Sequence, residues 1–206
     1  MIITKTTRLM SAHETRIRIK LDDPASLTWG MYSLTLAEGH EKAVIDWGDG
    51  SRTEVTASGS QTHDYAQPGE YEVRISDDIS AIRCSGASAS DPFYAIYIAR
   101  IVSFTTTAAK LARIPGMCFA EASNMTTFGC KGSGVATIES RAFKGCFALR
   151  GSVCLQPVTS LLSSTFTNCP AVTEIVFDQA NYDIISALPG YDAKFGATNA
   201  TVRFDL

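Results

Sequence analysis

The chain has 206 residues, of which 45% are hydrophobic and 19% charged, a balance that allows sizeable cores and excludes the low-hydrophobicity, high-charge composition of disordered segments. Eighteen Lys and Arg stand against 21 Asp and Glu, for a formal charge of −3. The basic excess that phosphate-backbone contacts require is missing, so nucleic acid is not an expected partner.

Residues 1–8 carry positive charge with no apolar run behind them to form a signal-peptide core, so no export signal is expected there. The most apolar stretch, residues 93–104, is interrupted by Arg100 and is far shorter than the roughly 20 residues of a membrane-spanning helix. No membrane insertion is expected.

Apolar residues then recur at every second position: Ile17, Ile19 and Leu21; Tyr32, Leu34 and Leu36; Tyr71, Val73 and Ile75. Runs of this period read as half-buried strands. Between them lie Asp22-Asp23-Pro24, Trp47-Gly48-Asp49-Gly50-Ser51 and Gln67-Pro68-Gly69-Glu70, each with the Gly, Pro or Asp that a chain reversal needs. Antiparallel β structure is the expected result. Trp47 supplies a large ring for the core, Gly48 and Gly50 permit positive φ, and Asp49 can bond its own turn backbone. Asp46, Asp49 and Asp64 would read as a cation site if clustered, since hard cations take carboxylate oxygens. Turn and strand-end chemistry accounts for each of them, and no metal or cofactor is expected. His63 reads as a packed strand residue, because no partner nucleophile is evident.

The order Ala43-Val44-Ile45-Asp46-Trp47-Gly48-Asp49-Gly50-Ser51, then His63-Asp64-Tyr65, then Pro68-Gly69-Glu70-Tyr71-Glu72-Val73 resembles the polycystic-kidney-disease (PKD) domain family. The resemblance covers residues 15–82. It implies an immunoglobulin-like β-sandwich acting as a spacer or extracellular interaction module, and the first domain is placed at residues 1–82.

From residue 83 onward the sequence repeats itself with a period of 23 to 24 residues between Phe119, Phe143 and Phe166. Phe119, Phe143 and Phe166 each follow an aliphatic residue by five positions, Ile114, Ile138 and Leu161. Each has Ala122, Cys146 or Cys169 at +3 and Met125, Leu149 or Val172 at +6. The pattern resembles the BspA-type leucine-rich repeat, in which a short turn carrying A-F-x-x-C precedes a leucine and a strand. The best copy spans residues 138–155. Each repeat is too small to bury its own apolar face, so Phe119, Phe143 and Phe166 are expected to form an internal ladder. Cys146 and Cys169 would lie on adjacent rungs as reduced thiols rather than a disulfide, because repeat-equivalent thiols point into the core side by side. The expected fold is mainly β, an immunoglobulin-like sandwich plus a short leucine-rich-repeat solenoid over residues 83–206. Residues 94–102 and the sandwich are expected to cover one end of the stack, and residues 180–206 the other.

The six cysteines, Cys84, Cys118, Cys130, Cys146, Cys154 and Cys169, include no C-x-x-C pair, which argues against structural zinc and thioredoxin-like redox chemistry. No G-x-S-x-G, H-E-x-x-H, phosphate loop or Rossmann fingerprint occurs. A non-catalytic binding or adhesion module is therefore expected, with a protein or glycan as partner. The family resemblance implies a bacterial cell-surface setting. The alternative is a structural subunit of a phage-derived or cell-envelope assembly. Side chains alternate along each repeat strand, and the outward set, Thr126, Thr127, Ser152 and Thr173, forms the expected binding face.

Overall fold

The computed structural model describes residues 13–86 and 96–206. Residues 1–8 and the start of the 94–102 segment thus lie outside the described residues. The chain is mainly β.

The first strand, β1 (Glu14–Leu21), buries Ile17, Ile19 and Leu21 and turns Arg16, Arg18 and Lys20 outward, as its alternation dictates. The second, β2 (Thr28–Leu36), departs from the expected alternation. Its register slips between Met31 and Leu34, so Trp29 and Met31 point into the core before the irregularity and Leu34 after it. An extra residue in one strand reverses side-chain parity. Tyr32 is left half-buried, with the Arg83 guanidinium 5.2 Å from its ring centre.

Five short strands follow: β3 (Ala43–Asp46), β4 (Arg52–Val55), β5 (Gly59–Asp64), β6 (Gly69–Ser76) and β7 (Ile79–Arg83). The repeating part contributes β8 (Ile101–Thr106), β9 (Arg113–Ile114), β10 (Thr127–Gly129), β11 (Thr137–Ile138), β12 (Gly151–Cys154), β13 (Ser160–Leu161), β14 (Val172–Asp178) and β15 (Thr201–Asp205), with one short helix, α1 (Tyr182–Ser186), before β15.

These strands form two sheets, a nine-stranded one in the order β15-β14-β12-β10-β8-β1-β6-β3-β4 and a six-stranded one in the order β13-β11-β9-β7-β2-β5. Both run unbroken from the first part of the chain into the repeats. In the long sheet β8 pairs antiparallel with β1 and parallel with β10. In the short sheet β7 pairs antiparallel with β2 and parallel with β9. The boundary expected at residues 82 and 83 falls inside β7, and one continuous hydrophobic core lies beneath both sheets. An open stack of repeats needs its ends covered. The antiparallel strands do this at one end by extending both sheets. Residues 101–106 take part as a full strand between β1 and β10 rather than as a lid.

Within the repeats, Phe119 stacks on Phe143 with ring centres 5.4 Å apart, and Phe143 on Phe166 at 5.1 Å. A second row, not anticipated from the repeat spacing, places strand residue Phe104 on Phe128 at 5.4 Å. Ile114, Ile138 and Leu161 are buried at −5, Ala122, Cys146 and Cys169 at +3, and Met125, Leu149 and Val172 at +6. The turns are joined as the strands are: the N–H groups of Phe119, Phe143 and Phe166 donate to the carbonyls of Ala142 (2.8 Å), Thr165 (3.1 Å) and Phe195 (2.9 Å). Phe195 is itself fully buried and continues the turn-to-turn bonding as the next rung, with the Tyr191 ring edge-on to it at 6.3 Å. Two positions after each repeat phenylalanine the backbone is left-handed, at Glu121 (φ 64°), Gly145 (φ 74°) and Asn168 (φ 60°). Glycine at the middle rung takes this left-handed conformation without the strain that Glu121 and Asn168 carry, and its missing Cβ leaves room for the Glu121 carboxylate.

Candidate functional site

Three groups of residues qualify as site candidates, and the turn after β3 comes first in the chain. Trp47 is buried, and its indole N–H donates to the Thr53 hydroxyl at 2.9 Å. Tyr65 caps it, with its hydroxyl donating to the Trp47 carbonyl at 3.1 Å. Gly48 adopts φ 83° and Gly50 φ 94°, and a Cβ on Gly48 would lie 2.7 Å from the Glu72 carbonyl. The three aspartates do not converge. Asp46 accepts from the Gly48 N–H and the Arg52 guanidinium, Asp49 from Ser51, and Asp64 from the Thr28 hydroxyl.

His63 Nε2 lies 2.7 Å from Asp49 Oδ2 and 3.2 Å from Ser51 Oγ, and the ring stacks on Trp47. Acid and hydroxyl meet the same ring nitrogen. A nucleophile triad needs them on opposite nitrogens, so this grouping fastens the turn to β5. Burial acts to raise the Asp49 carboxyl, but hydrogen bonds from Ser51 and His63 outweigh it and hold the group at about 2. A depressed carboxylate contributes stability above its unfolded value and loses it as pH falls through the folded one. Urea midpoints measured between pH 3.8 and about 2 are expected to fall more steeply for the native chain than for Asp49→Asn. Parallel profiles would contradict the assignment.

The cysteines form the second group. Cys146 and Cys169 are free thiols, and each donates to the carbonyl of the phenylalanine one rung earlier: Cys146 to Phe119 at 3.1 Å, Cys169 to Phe143 at 2.9 Å. Burial pushes the Cys146 thiol up, as it does those of Cys84 and Cys130. Thiols in this state are poor nucleophiles, and in the repeat those of Cys146 and Cys169 satisfy a core carbonyl. Among the described residues no group of three or more His, Cys, Asp or Glu is placed to hold a metal ion, and no helix is long and apolar enough to cross a membrane.

The third group is the outer face of the long sheet. Strand register lines up its side chains in rows. Arg18 lies opposite Ser103, Ser103 beside Thr127, Ser152 beside Glu174, and Glu174 beside Thr201. A second row runs Arg74, Arg16, Thr105, Gly129, Cys154, Val176 and Arg203. Small side chains, Ser103, Thr105, Thr127, Gly129, Ser152 and Cys154, fill the middle of the face. Charged pairs flank them: Arg18 with Glu70 at 3.0 Å and Arg74 with Glu72 at 2.7 Å on one side, Arg203 with Glu174 at 3.6 Å on the other.

Of the expected binding residues, Thr127 and Ser152 are exposed on this face. Thr126 is half-buried just before β10, where its N–H and hydroxyl both donate to the Val102 carbonyl. Thr173 is exposed but sits at an irregularity between Gly151 and Ser152 in the β12–β14 register, so Glu174 takes the position opposite Ser152. The inserted residue again moves a side chain out of its expected row.

The decisive observation is the rung itself: strand, phenylalanine turn, buried thiol or small residue, then a parallel strand, three times over. Residues 92–187 match the BspA type leucine rich repeat region (6 copies). Neither a curated protein nor a solved structure matches the chain. The repeat region thus supplies β8 to β14 and carries the small-residue half of the face, while β1 and β6 extend it with charge.

Two open clefts lie on this same face, and neither was legible in the sequence. One, of about 360 Å³, is lined by Glu14, Arg16, Thr105, Thr106, Thr107, Gly129 and Lys131. The other, of about 530 Å³, lies between β1, β6 and residues 96–124, where Arg100 is already engaged by the Ser26 and Thr28 carbonyls and Asn124 by the Ala99 carbonyl. Glu14 shares the outward parity of Arg16 and Arg18. That parity was the one available signal, but the cleft itself depends on a pairing between residues some 90 positions apart, such as Thr15 with Thr106.

Proposed function

We propose that the protein is a non-catalytic adhesion module that docks a protein or glycan on the outer face of its long sheet. The observation that carries this reading is the shelf of small, uncharged side chains from Ser103 to Ser152, bordered on both sides by ion pairs. A shelf without bulky side chains lets a partner approach the sheet closely, and flanking charges fix its orientation and exclude like-charged competitors. Shallow polar faces suit extended partners better than small substrates, which need a concave pocket with convergent groups.

In this proposal residues 1–82 are a PKD-like, immunoglobulin-like sandwich that caps one end of the repeats and supplies the charged side of the docking face through β1 and β6, and the setting is the bacterial cell surface. The Trp47-Gly48-Asp49-Gly50 turn, with its tryptophan in the core, supports that assignment.

Screening the chain against arrays of glycans and immobilised extracellular proteins tests the proposal. Hits are expected to weaken by at least about tenfold, some 1.4 kcal/mol, in Thr127→Arg and Ser152→Arg. They are expected to persist in Ser160→Arg, on the short sheet. Hits indifferent to Thr127 and Ser152 would overturn the docking face. A defined higher oligomer with no array ligand would favour an assembly subunit instead.

A further inference from the structure

We propose that the long sheet continues from one copy of the chain into the next, the outer edge of β15 taking the outer edge of β4 of a second copy as its parallel neighbour. The inference goes beyond the docking face, because it stands on the two edge strands and uses none of Ser103, Thr127 or Ser152.

β15 and β4 are the edge strands of the nine-stranded sheet. An edge strand presents a row of unpaired N–H and C=O groups, a template for another chain. The ladders fix which groups these are. The Val44 N–H donates to the Ser76 hydroxyl of β6, so Val44 faces β6, and its β4 partner Glu54 turns its own N–H and C=O away from β3, as does Arg52 two positions earlier. At the other edge the Leu155 N–H donates to the Val176 carbonyl, so Val176 faces β12 and its neighbours Ile175 and Phe177 face β15. In a parallel ladder those two bond Thr201, Arg203 and Asp205, the residues flanking their partners Val202 and Phe204. The N–H and C=O groups of Val202 and Phe204 are left pointing outward.

One register satisfies both backbones and both faces. In a parallel pair a residue that faces the partner strand sits opposite one that faces away. Glu54 then falls opposite Arg203, Arg52 opposite Thr201, Thr53 opposite Val202 and Val55 opposite Phe204. Glu54 and Arg203 are exposed and opposite in charge, while Thr53, Val55, Val202 and Phe204 turn toward the core side. Val202 and Phe204 are only partly buried, and Tyr182, edge-on to Phe204 at 5.0 Å, is exposed, so the β15 edge carries apolar surface for Val55 to cover.

The other arrangements fail on charge or on facing. A slip of two residues sets Arg52 opposite Arg203 and Glu54 opposite Asp205, and like charges directly opposite are destabilising. Two β15 edges paired antiparallel through Val202 and Phe204 bring Arg203 opposite Arg203. An antiparallel β4–β15 pair sets Glu54 opposite Val202 or Phe204 and turns a carboxylate toward the core side. A joint between two different edges of the same molecule repeats head to tail. The outer faces of successive copies then lie in one row, and weak contacts on each add through avidity.

Sedimentation velocity of the full chain from micromolar to millimolar concentration tests the joint. The weight-average mass is expected to climb past that of a dimer. Glu54→Arg and Arg203→Glu should each weaken association by about fivefold or more, and the double variant should recover it. Val202→Pro removes an N–H that the β14 ladder does not use, so it should keep the native circular dichroism and stay monomeric. If Val202→Pro does not fold, the charge reversals carry the test. The proposal is overturned if the native chain stays monomeric, if it stops at a dimer, as β4 against β4 would, or if both single charge reversals associate as the native chain does. Array ligands bound by a chain that remains monomeric would overturn the joint alone and leave the docking face standing.

Discussion

Replacing Phe143 by alanine is expected to destabilise the chain by about 3–5 kcal/mol, the range for large aromatics removed from well-packed cores. In a chain of this length that corresponds to a fall of roughly 6–20 °C in Tm. Phe143 is the middle rung. It stacks between Phe119 and Phe166 and meets Phe128 edge-on with ring centres 4.6 Å apart. Three ring contacts disappear with the side chain, and the rungs above and below are held in place by turn-to-turn hydrogen bonds, so the void cannot close. Phe166→Ala is expected to cost less. Its ring has one such stacking partner, and beyond the buried Phe195 rung the end of the stack is closed by Tyr191 and Leu188, which are only partly buried. Thermal denaturation of the two variants checks both the size and the order of the effects.

Trp29→Ala is expected to have an effect of the same size, about 3–5 kcal/mol, for a different reason. Trp29 is fully buried in β2, meets Trp47 edge-on with ring centres 6.5 Å apart, and donates its indole N–H to the Tyr97 carbonyl at 3.0 Å. It therefore packs the antiparallel part and also ties it to the segment that leads into β8. Truncation opens a large cavity and leaves a carbonyl without its donor, and the two losses add. Trp29→Phe refills most of the cavity while still lacking the donor. Its smaller loss, measured against Trp29→Ala, separates packing from the hydrogen bond.

Much of this was legible because it is local. The spacing of Phe119, Phe143 and Phe166 located the rungs, and the alternation through Ile17, Ile19 and Leu21 located a strand and its inner face. Glycines around Asp49 marked a turn, and the structure has that turn, closed by the Trp47 N–H donating to the Ser51 carbonyl at 3.1 Å. Local pattern failed where a single residue was inserted. The slips between Met31 and Leu34 and between Gly151 and Ser152 each moved side chains by one place, putting Met31 inside and Glu174 where Thr173 was expected. Periodicity carries no warning of such insertions, because the residues on either side keep their own alternation.

What sequence could not disclose was the long-range pairing. Nothing in residues 14–21 or 101–106 announces that they lie side by side, or that β7 begins a parallel stack with β9. Short apolar strands are compatible with many partners, and the choice is made by the core they jointly enclose. The Glu14 cleft, the long outer face and the second phenylalanine row, Phe104 on Phe128, all follow from that pairing.

The two sheets cross from the antiparallel strands into the repeats without a break. Calorimetric unfolding of the native chain, Phe143→Ala and Trp29→Ala tests this most directly. One transition is predicted, with the calorimetric and van't Hoff enthalpies equal, and both variants should lower that same transition although one lies in the repeats and the other in β2. Two resolved transitions, one moved only by Phe143→Ala and the other only by Trp29→Ala, would contradict it.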